Sequence, residues 1–108
     1  MKLVVQRVKE SSVTIDGKIH GQIDKGFMVL VGFCEGDNEV IVDKMIEKMI
    51  HLRIFEDAAG KMNLSLNDVH GAILSISQFT LYADCRKGRR PSFIDAAKPE
   101  IAIPLYNY

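Results

Sequence analysis

Residues 27–33 read FMVLVGF, a near-continuous apolar run with no charge to break it. A strand with one face in water alternates apolar and polar residues. A strand that is apolar at nearly every position suits a place in a sheet covered on both faces. The segment is bounded by turn signals, Lys25-Gly26 before it and Cys34-Glu35-Gly36-Asp37 after it. The residues upstream supply partners. Residues 2–8 (KLVVQRV) and 11–15 (SSVTI) are rich in β-branched side chains. Asp16-Gly17 is a tight-turn signal, because glycine tolerates the positive φ such turns demand. Residues 18–24 return as a strand with His20 and Gln22 alternating against Ile19 and Ile23.

A helix is predicted over about Asn38–Leu52. Asp37 or Asn38 is placed to cap it, and Glu39 suits the positive end of its dipole. Val42, Met45, Ile46, Met49 and Ile50 fall on one helical face and read as core. Residues 53–55 (RIF) look strand-like, 56–68 form a polar loop broken by Gly60, and 72–81 (AILSISQFTL) form a strand into which hydroxyls intrude. Residues 84–92 (DCRKGRRPS) form a basic loop, followed by a weak helical signal. With 108 residues there is room for one domain. The element order gives an α+β fold: a largely antiparallel sheet, curled or barrel-like, with helices packed on one side.

Composition narrows the function classes. Basic and acidic residues number 14 each, which excludes a generally basic nucleic-acid binder and leaves only local patches. No apolar run reaches the length of a membrane span, and Arg7, Lys9 and Glu10 break any signal-peptide core. The two cysteines, Cys34 and Cys85, form neither a disulfide framework nor a CxxC pair. No metal site and no membrane association are expected, and the expected location is the cytoplasm with reduced thiols.

Several segments invite a functional and a structural reading. Ser75 and Ser77 are predicted on one face of their strand, Gln78 and Thr80 on the other. Polar groups converging at a strand end suit a pocket, but local bonds to backbone would also satisfy them. A Ser or Thr nucleophile needs an adjacent base, and His20, His51 and His70 are all distant in sequence. Arg86, Lys87, Arg89 and Arg90 put four of the fourteen positive charges into five residues, leaving the rest of the chain acidic. Such a run is either a solvated loop or a modest, salt-sensitive grip on phosphates. Cys85 beside it is either an incidental thiol or one activated by the cations. Gly60-Lys61-Met62-Asn63 is either a turn or a ligand contact. Arg7, inside an apolar strand, is either an edge charge that discourages aggregation or the support of a pocket wall or a partner chain.

Five stretches are similar to one family: VVQRV at 4–8, SSVTIDG at 11–17, RIFEDAAGKMNLS at 53–65, SISQFTLYAD at 75–84 and KGRRPSF at 87–93. In this order they resemble the bacterial D-aminoacyl-tRNA deacylases over nearly the whole chain. The resemblance implies an enzyme that hydrolyses the ester between a D-amino acid and the terminal adenosine of a tRNA, and that clears glycine from wrongly charged tRNA. It implies a cytoplasmic homodimer with active sites at the subunit interface, and no cofactor. Ser77, Gln78 and Phe79 match the motif lining the aminoacyl-adenosine pocket. Thr80 matches a threonine once assigned as nucleophile; the other family-level account gives activation to the substrate's own ribose hydroxyl, with protein backbone positioning the ester. An aminoacyl ester is already reactive, so orientation and N–H stabilisation of the oxyanion can suffice.

The family also carries a further C-terminal segment in which a Gly-Pro pair with a cis peptide excludes L-amino acids. This chain holds no Gly-Pro pair, its prolines being Pro91, Pro99 and Pro104, and it ends at Tyr108. The expectation is therefore a C-terminally truncated family member. Pro104 is expected to interrupt a helix begun at Pro99, so that the helix starts nearer Ala102. A reading from a different class is a module of the same fold that holds tRNA or single-stranded nucleic acid without chemistry.

Overall fold

The structure, a computed structural model, describes residues 1–108. In chain order the elements are β1 (Lys2–Val8), β2 (Ser11–Ile15), β3 (Lys18–Ile23), β4 (Gly26–Gly32), α1 (Glu39–Ile50), β5 (Phe55–Glu56), β6 (Met62–Leu64), β7 (Ala72–Ser77), a 3-10 helix (Phe79–Tyr82) and α2 (Pro99–Asn107). The class is α+β, as expected, and its sheets are open rather than closed into a barrel. One sheet has the order β1-β4-β7, and β2-β3 and β5-β6 form two-stranded sheets. The strand most apolar in sequence is thus the one with a neighbour on each side. Phe27 and Val29 of β4 are 0% and 1% exposed.

Two compact units divide the chain. One comprises Met1–Val4, Leu30–Ile46 and Ile76–Tyr108; the other comprises Val5–Val29 and Glu47–Ser75. In the second unit Phe27 stacks on Phe55 with ring centroids 5.2 Å apart, and Leu66 and Leu74 are buried. The β2–β3 hairpin there turns through Asp16 and Gly17, with φ of 51° and 77°. Both lie in the left-handed region that a two-residue primed turn needs. In the first unit Val31, Phe33, Val42, Ala97 and Leu105 are buried.

Helix α1 is capped by Asn38, whose side chain accepts the Ile41 N–H at 3.0 Å. Such a cap is worth about 1 kcal/mol. Asp37 does not cap the helix. Its carboxylate instead holds the Met1 ammonium at 2.8 Å and the Cys34 N–H at 2.8 Å. Burial raises the Asp37 pKa, but the ammonium and the Cys34 N–H outweigh it and hold the carboxyl below its ordinary value.

Three expectations from the sequence are corrected. The strand read at 72–81 ends at Ser77, and residues 79–82 turn into the 3-10 helix. The strand read at 53–55 shifts to Phe55–Glu56, because the Arg53 side chain is drawn to Asn63 and Phe55 pairs with Leu64. Its partner β6 lies inside what reads as a polar loop. Helix α2 begins at Pro99 rather than near Ala102. Proline at the first helical position gives up no bond, since that N–H has no partner in a helix. Pro104 forgoes only the bond its N–H would have made to the Glu100 carbonyl, and the helix runs on around it.

Candidate active site and nucleic-acid interface

The turn that ends β7 has a local cause. The Gln78 N–H donates to the Val31 carbonyl at 2.7 Å, and Gln78 then leaves the strand with φ −146° and ψ 94°. Gly32 lets this turn approach. A Cβ on Gly32 would lie 3.1 Å from the Gln78 carbonyl oxygen and 3.1 Å from the Leu81 Cβ, a tight approach that would make these neighbours give by a few tenths of an ångström. The Leu81 and Ala83 N–H groups close the turn onto the Gln78 and Thr80 carbonyls at 3.4 and 3.0 Å. The N–H groups of Phe79 and Thr80 open the 3-10 helix, where no carbonyl of the helix itself can accept from them.

The side chains of this turn split into committed and open ones. The Gln78 side-chain amide donates to the Thr80 hydroxyl. An amide N–H donates and takes no proton away, so the Thr80 hydroxyl has no base in its hydrogen-bond shell. Ser77 is exposed at the end of β7. Phe79 is 56% exposed and meets Phe93 edge-to-face, with ring centroids 5.1 Å apart. The strand alternation predicted for Ser75, Ser77, Gln78 and Thr80 therefore stops at Ser77, and Gln78 and Thr80 become partners across the turn. No histidine bonds to this segment; His51 Nδ1 faces the Glu47 carbonyl at 2.8 Å.

Beneath the turn, the Lys2 ammonium sits 4.5 Å from the Tyr82 ring centre and donates to the Leu81 carbonyl at 3.2 Å. Burial, and then a hydrogen bond with Cys34, push the Tyr82 phenol well above its ordinary pKa. Tyr82 is thus a neutral supporting group at physiological pH.

The basic loop follows at once. Asp84 and Ser92 exchange two backbone hydrogen bonds of 2.7 Å, which close residues 84–92 at the neck. Asp84 also chelates the Arg86 guanidinium, the closest N–O pair being 2.7 Å, and the backbone N–H of Arg86 at 3.0 Å. These bonds lower the Asp84 pKa to about 2. Arg86 is therefore committed. Lys87, Arg89 and Arg90 are exposed, form no ion pair, and line a cleft of about 430 Å³ with Ser92 and Ile94.

In the second unit, Arg7 donates to the Ile54 carbonyl at 2.8 Å and stands 4.0 Å from Glu56. It lines a cleft of about 580 Å³ with Lys9, Lys25 and Phe55. Asn63, in the GKMN stretch, is occupied by Arg53 and Asp57. No three His, Cys, Asp or Glu side chains are grouped to hold a metal ion, and no helix is long and apolar enough to cross a membrane.

Residues 4–108 match the model of the family described as D-Tyr-tRNA(Tyr) deacylase. The chain belongs to this family. A D-aminoacyl-tRNA deacylase of Halalkalibacterium halodurans is 60% identical over 106 residues, covering 98% of the chain and 73% of the relative. One of Thermus aquaticus is 58% identical over 106 residues, covering 98% and 70%. A solved structure of a c-Myc DNA unwinding element binding protein superposes with TM-score 0.92 at 41% identity, covering 99% of the chain and 72% of that protein. A probable eukaryotic D-amino acid tRNA deacylase shares the fold at TM-score 0.79 and 19% identity, covering 96% and 61%.

Two features of the candidate site are ones the sequence pattern did not suggest: Asp84 as the counter-ion of Arg86, and Phe93 as the partner of Phe79. The first had a signal, an acidic residue two positions before an arginine in a tight loop. The second had none, because an edge-to-face pair fourteen residues apart depends on the turn and the closed neck between them.

Proposed function

We infer that this chain is a D-aminoacyl-tRNA deacylase, an ester hydrolase that releases a free D-amino acid and tRNA. The observation that carries the reading is the family match over residues 4–108, together with 58–60% identity to proteins of that activity. We assign the aminoacyl-adenosine site to Ser77, Gln78 and Phe79, with Thr80 as a contact residue rather than a nucleophile. The Thr80 hydroxyl accepts from the Gln78 amide and has no base to take its proton. Chemistry then falls to orientation. The Phe79 and Thr80 N–H groups, unpaired within their turn, are the donors available to an ester carbonyl as it gains negative charge. The attacking group is water, activated beside the substrate's own ribose hydroxyl, and the ester C–O bond breaks to return that oxygen to the tRNA.

Lys87, Arg89 and Arg90 are the proposed phosphate contacts; Arg86 serves first to brace the loop through Asp84. Arg7 is proposed as support for a pocket wall or a partner chain. Family resemblance supports a cytoplasmic homodimer, one functional domain over residues 1–108, no cofactor, and a role in chiral proofreading that extends to mischarged glycyl-tRNA.

The test is hydrolysis of D-tyrosyl-tRNA with L-tyrosyl-tRNA in parallel. Release of D-tyrosine is the expected result. Cleavage of both esters keeps the hydrolase and removes the chiral selectivity. A folded chain that binds the D-ester and protects it from hydrolysis overturns the reading in favour of a binding module.

A further inference from the structure

The 3-10 helix Phe79–Tyr82 is a single turn, and none of its four residues is buried. So short a helix makes too few bonds of its own to stand alone. Core packing does not hold it, so contacts at its two ends must. At the front, the Val31 carbonyl holds the Gln78 N–H at 2.7 Å. At the rear, the last carbonyls of a helix have no N–H of that helix to accept from. There the Leu81 carbonyl takes the Lys2 ammonium at 3.2 Å, and the same ammonium stands 4.5 Å from the centre of the Tyr82 ring. A cation at the C-terminal end of a helix also suits its dipole.

Lys2 has other partners within reach and does not take them. It lines a cleft of about 270 Å³ with Asp84, Arg86 and Asp95, yet Asp84 goes to Arg86 and Lys2 forms no ion pair. Both sides of its contact are fixed from behind by one turn. Lys2 follows Met1, whose ammonium Asp37 holds at 2.8 Å. Tyr82 is half-buried and hydrogen-bonded to Cys34, whose N–H donates to the same Asp37 at 2.8 Å. The ammonium is thus spent on a carbonyl and a ring, which is the commitment of a brace and not of a free phosphate contact.

We propose that Lys2 is a positioning residue for deacylation: by pinning Leu81 and Tyr82 it holds the 3-10 helix so that the Phe79 and Thr80 N–H groups stay aimed at the ester carbonyl. The proposal rests on the deacylase reading and deepens it. Lys2 touches no reacting atom. Its loss frays the turn that carries the donors, so it lowers the rate of the bound ester and leaves the grip of Lys87, Arg89 and Arg90 on the tRNA intact.

The experiment measures hydrolysis of D-tyrosyl-tRNA by Lys2→Met, which keeps the length of the side chain and removes its charge. The expected kcat is lower by about 5- to 10-fold, from the low end of what an exposed cation–π contact and one hydrogen bond contribute together. KM and the salt dependence of tRNA binding should match the parent. Lys2→Arg, whose guanidinium can reach both a carbonyl and a ring face, should restore most of kcat. Amide hydrogen exchange reads the same brace without turnover: residues 79–83 should exchange faster in Lys2→Met, with α1 unchanged. A raised KM with a flatter salt slope and an unchanged kcat overturns the proposal and makes Lys2 a phosphate contact. An unchanged kcat with unchanged KM overturns it, as does a kcat that Lys2→Arg does not recover. Exchange that quickens in α1 as much as in 79–83 also overturns it, making Lys2 a general support of its unit. A parent chain that releases no D-tyrosine overturns the deacylase reading and the catalytic sense of the brace with it; the exchange comparison still decides whether Lys2 holds the turn.

Discussion

Between β5 and β6 the Asp57 carboxylate accepts the N–H groups of Ala59 and Lys61 at 2.9 and 3.1 Å and the Asn63 amide at 3.2 Å, while Arg53 closes onto Asn63. Between Asp84 and Ser92 the bonds are those of the neck, the Asp84–Arg86 pair and one Gly88 N–H to the Cys85 carbonyl at 3.4 Å, and Lys87, Arg89 and Arg90 stand without a carboxylate partner. Both segments read alike in sequence: polar, glycine-containing and charged. The first commits the Asp57 carboxylate and the Arg53 guanidinium internally, its exposed Lys61 ammonium being the charge without an ion pair. Its Asp57 sits below the ordinary carboxylate pKa because backbone N–H groups, the Lys61 one first, bind it. The second presents its charges outward. Charge composition alone does not separate a self-braced loop from a binding loop; what separates them is whether each charge has a partner inside the chain.

The largest expected effect removes what anchors the braced loop. Phe55 is 2% exposed and stacks on Phe27. Phe55→Ala is expected to cost about 3–5 kcal/mol in denaturant unfolding, the range for a buried phenylalanine. That is a large share of the roughly 5–15 kcal/mol a domain of ordinary stability has. A cost under about 1 kcal/mol would show that the β5–β6 hairpin stands without its aromatic anchor.

What the sequence made legible follows the same divide. The apolar run at 27–33 and the primed turn at Asp16-Gly17 are local patterns that appear where their period places them; of the helical stripe read as core, Val42 and Met49 are buried and Met45 and Ile50 half-buried, but Ile46 is 41% exposed. Local pattern failed where a distant group decided the geometry. The strand read through Leu81 stops at Ser77 because the Val31 carbonyl captures the Gln78 N–H and Gly32 admits the turn. Strand β6 had no periodicity to show; only its pairing with β5 makes it a strand. In the site, the residue types at 77–80 and 86–90 were readable, but not which charges are free. That depends on Asp84 reaching Arg86 and nothing reaching Arg89 or Arg90.

The free cations are tested by salt. If Arg89 and Arg90 each neutralise one phosphate, replacing both by Ala should flatten the slope of log affinity for tRNA against log salt by roughly 1.4–1.8. Arg53→Ala, on the braced side, should leave the slope unchanged. A slope that does not move on the double substitution would make 84–92 a solvated loop and erase the contrast between the two segments.

A smaller effect runs in the opposite direction. Asp84→Asn removes the charge that occupies Arg86 and should convert a committed cation into a free one. The expected result is tighter tRNA binding and a salt slope steeper by roughly 0.7–0.9. Acid does not mimic the substitution in ordinary buffers. The Asp84 pKa is lowered, so the pair's contribution is fully present above the ordinary value of 3.8 and is lost only as pH falls from there through about 2. Binding that follows Asp84 should therefore be flat between pH 5 and 8. Weaker binding by Asp84→Asn would show that the neck, rather than the charge, is what Asp84 supplies.

The smallest expected effect distinguishes a committed side chain from a reactive one within the site. The Thr80 hydroxyl accepts from the Gln78 amide, so its removal should loosen the turn while leaving the Phe79 and Thr80 N–H groups in place. Thr80→Ala should keep turnover of D-tyrosyl-tRNA within about tenfold of the parent, since backbone donors and ester orientation survive it. A covalent nucleophile behaves otherwise: its loss costs a factor on the order of 10⁶ in turnover. Thr80→Ser separates the two cases further. A nucleophilic hydroxyl would be restored by serine, whereas a turn-bracing hydroxyl needs only an acceptor within reach of Gln78, and the serine and alanine variants should then differ by no more than a few-fold. A collapse in the alanine variant with recovery in the serine variant would return Thr80 to the role of nucleophile, and would require a base that the present geometry does not place beside it.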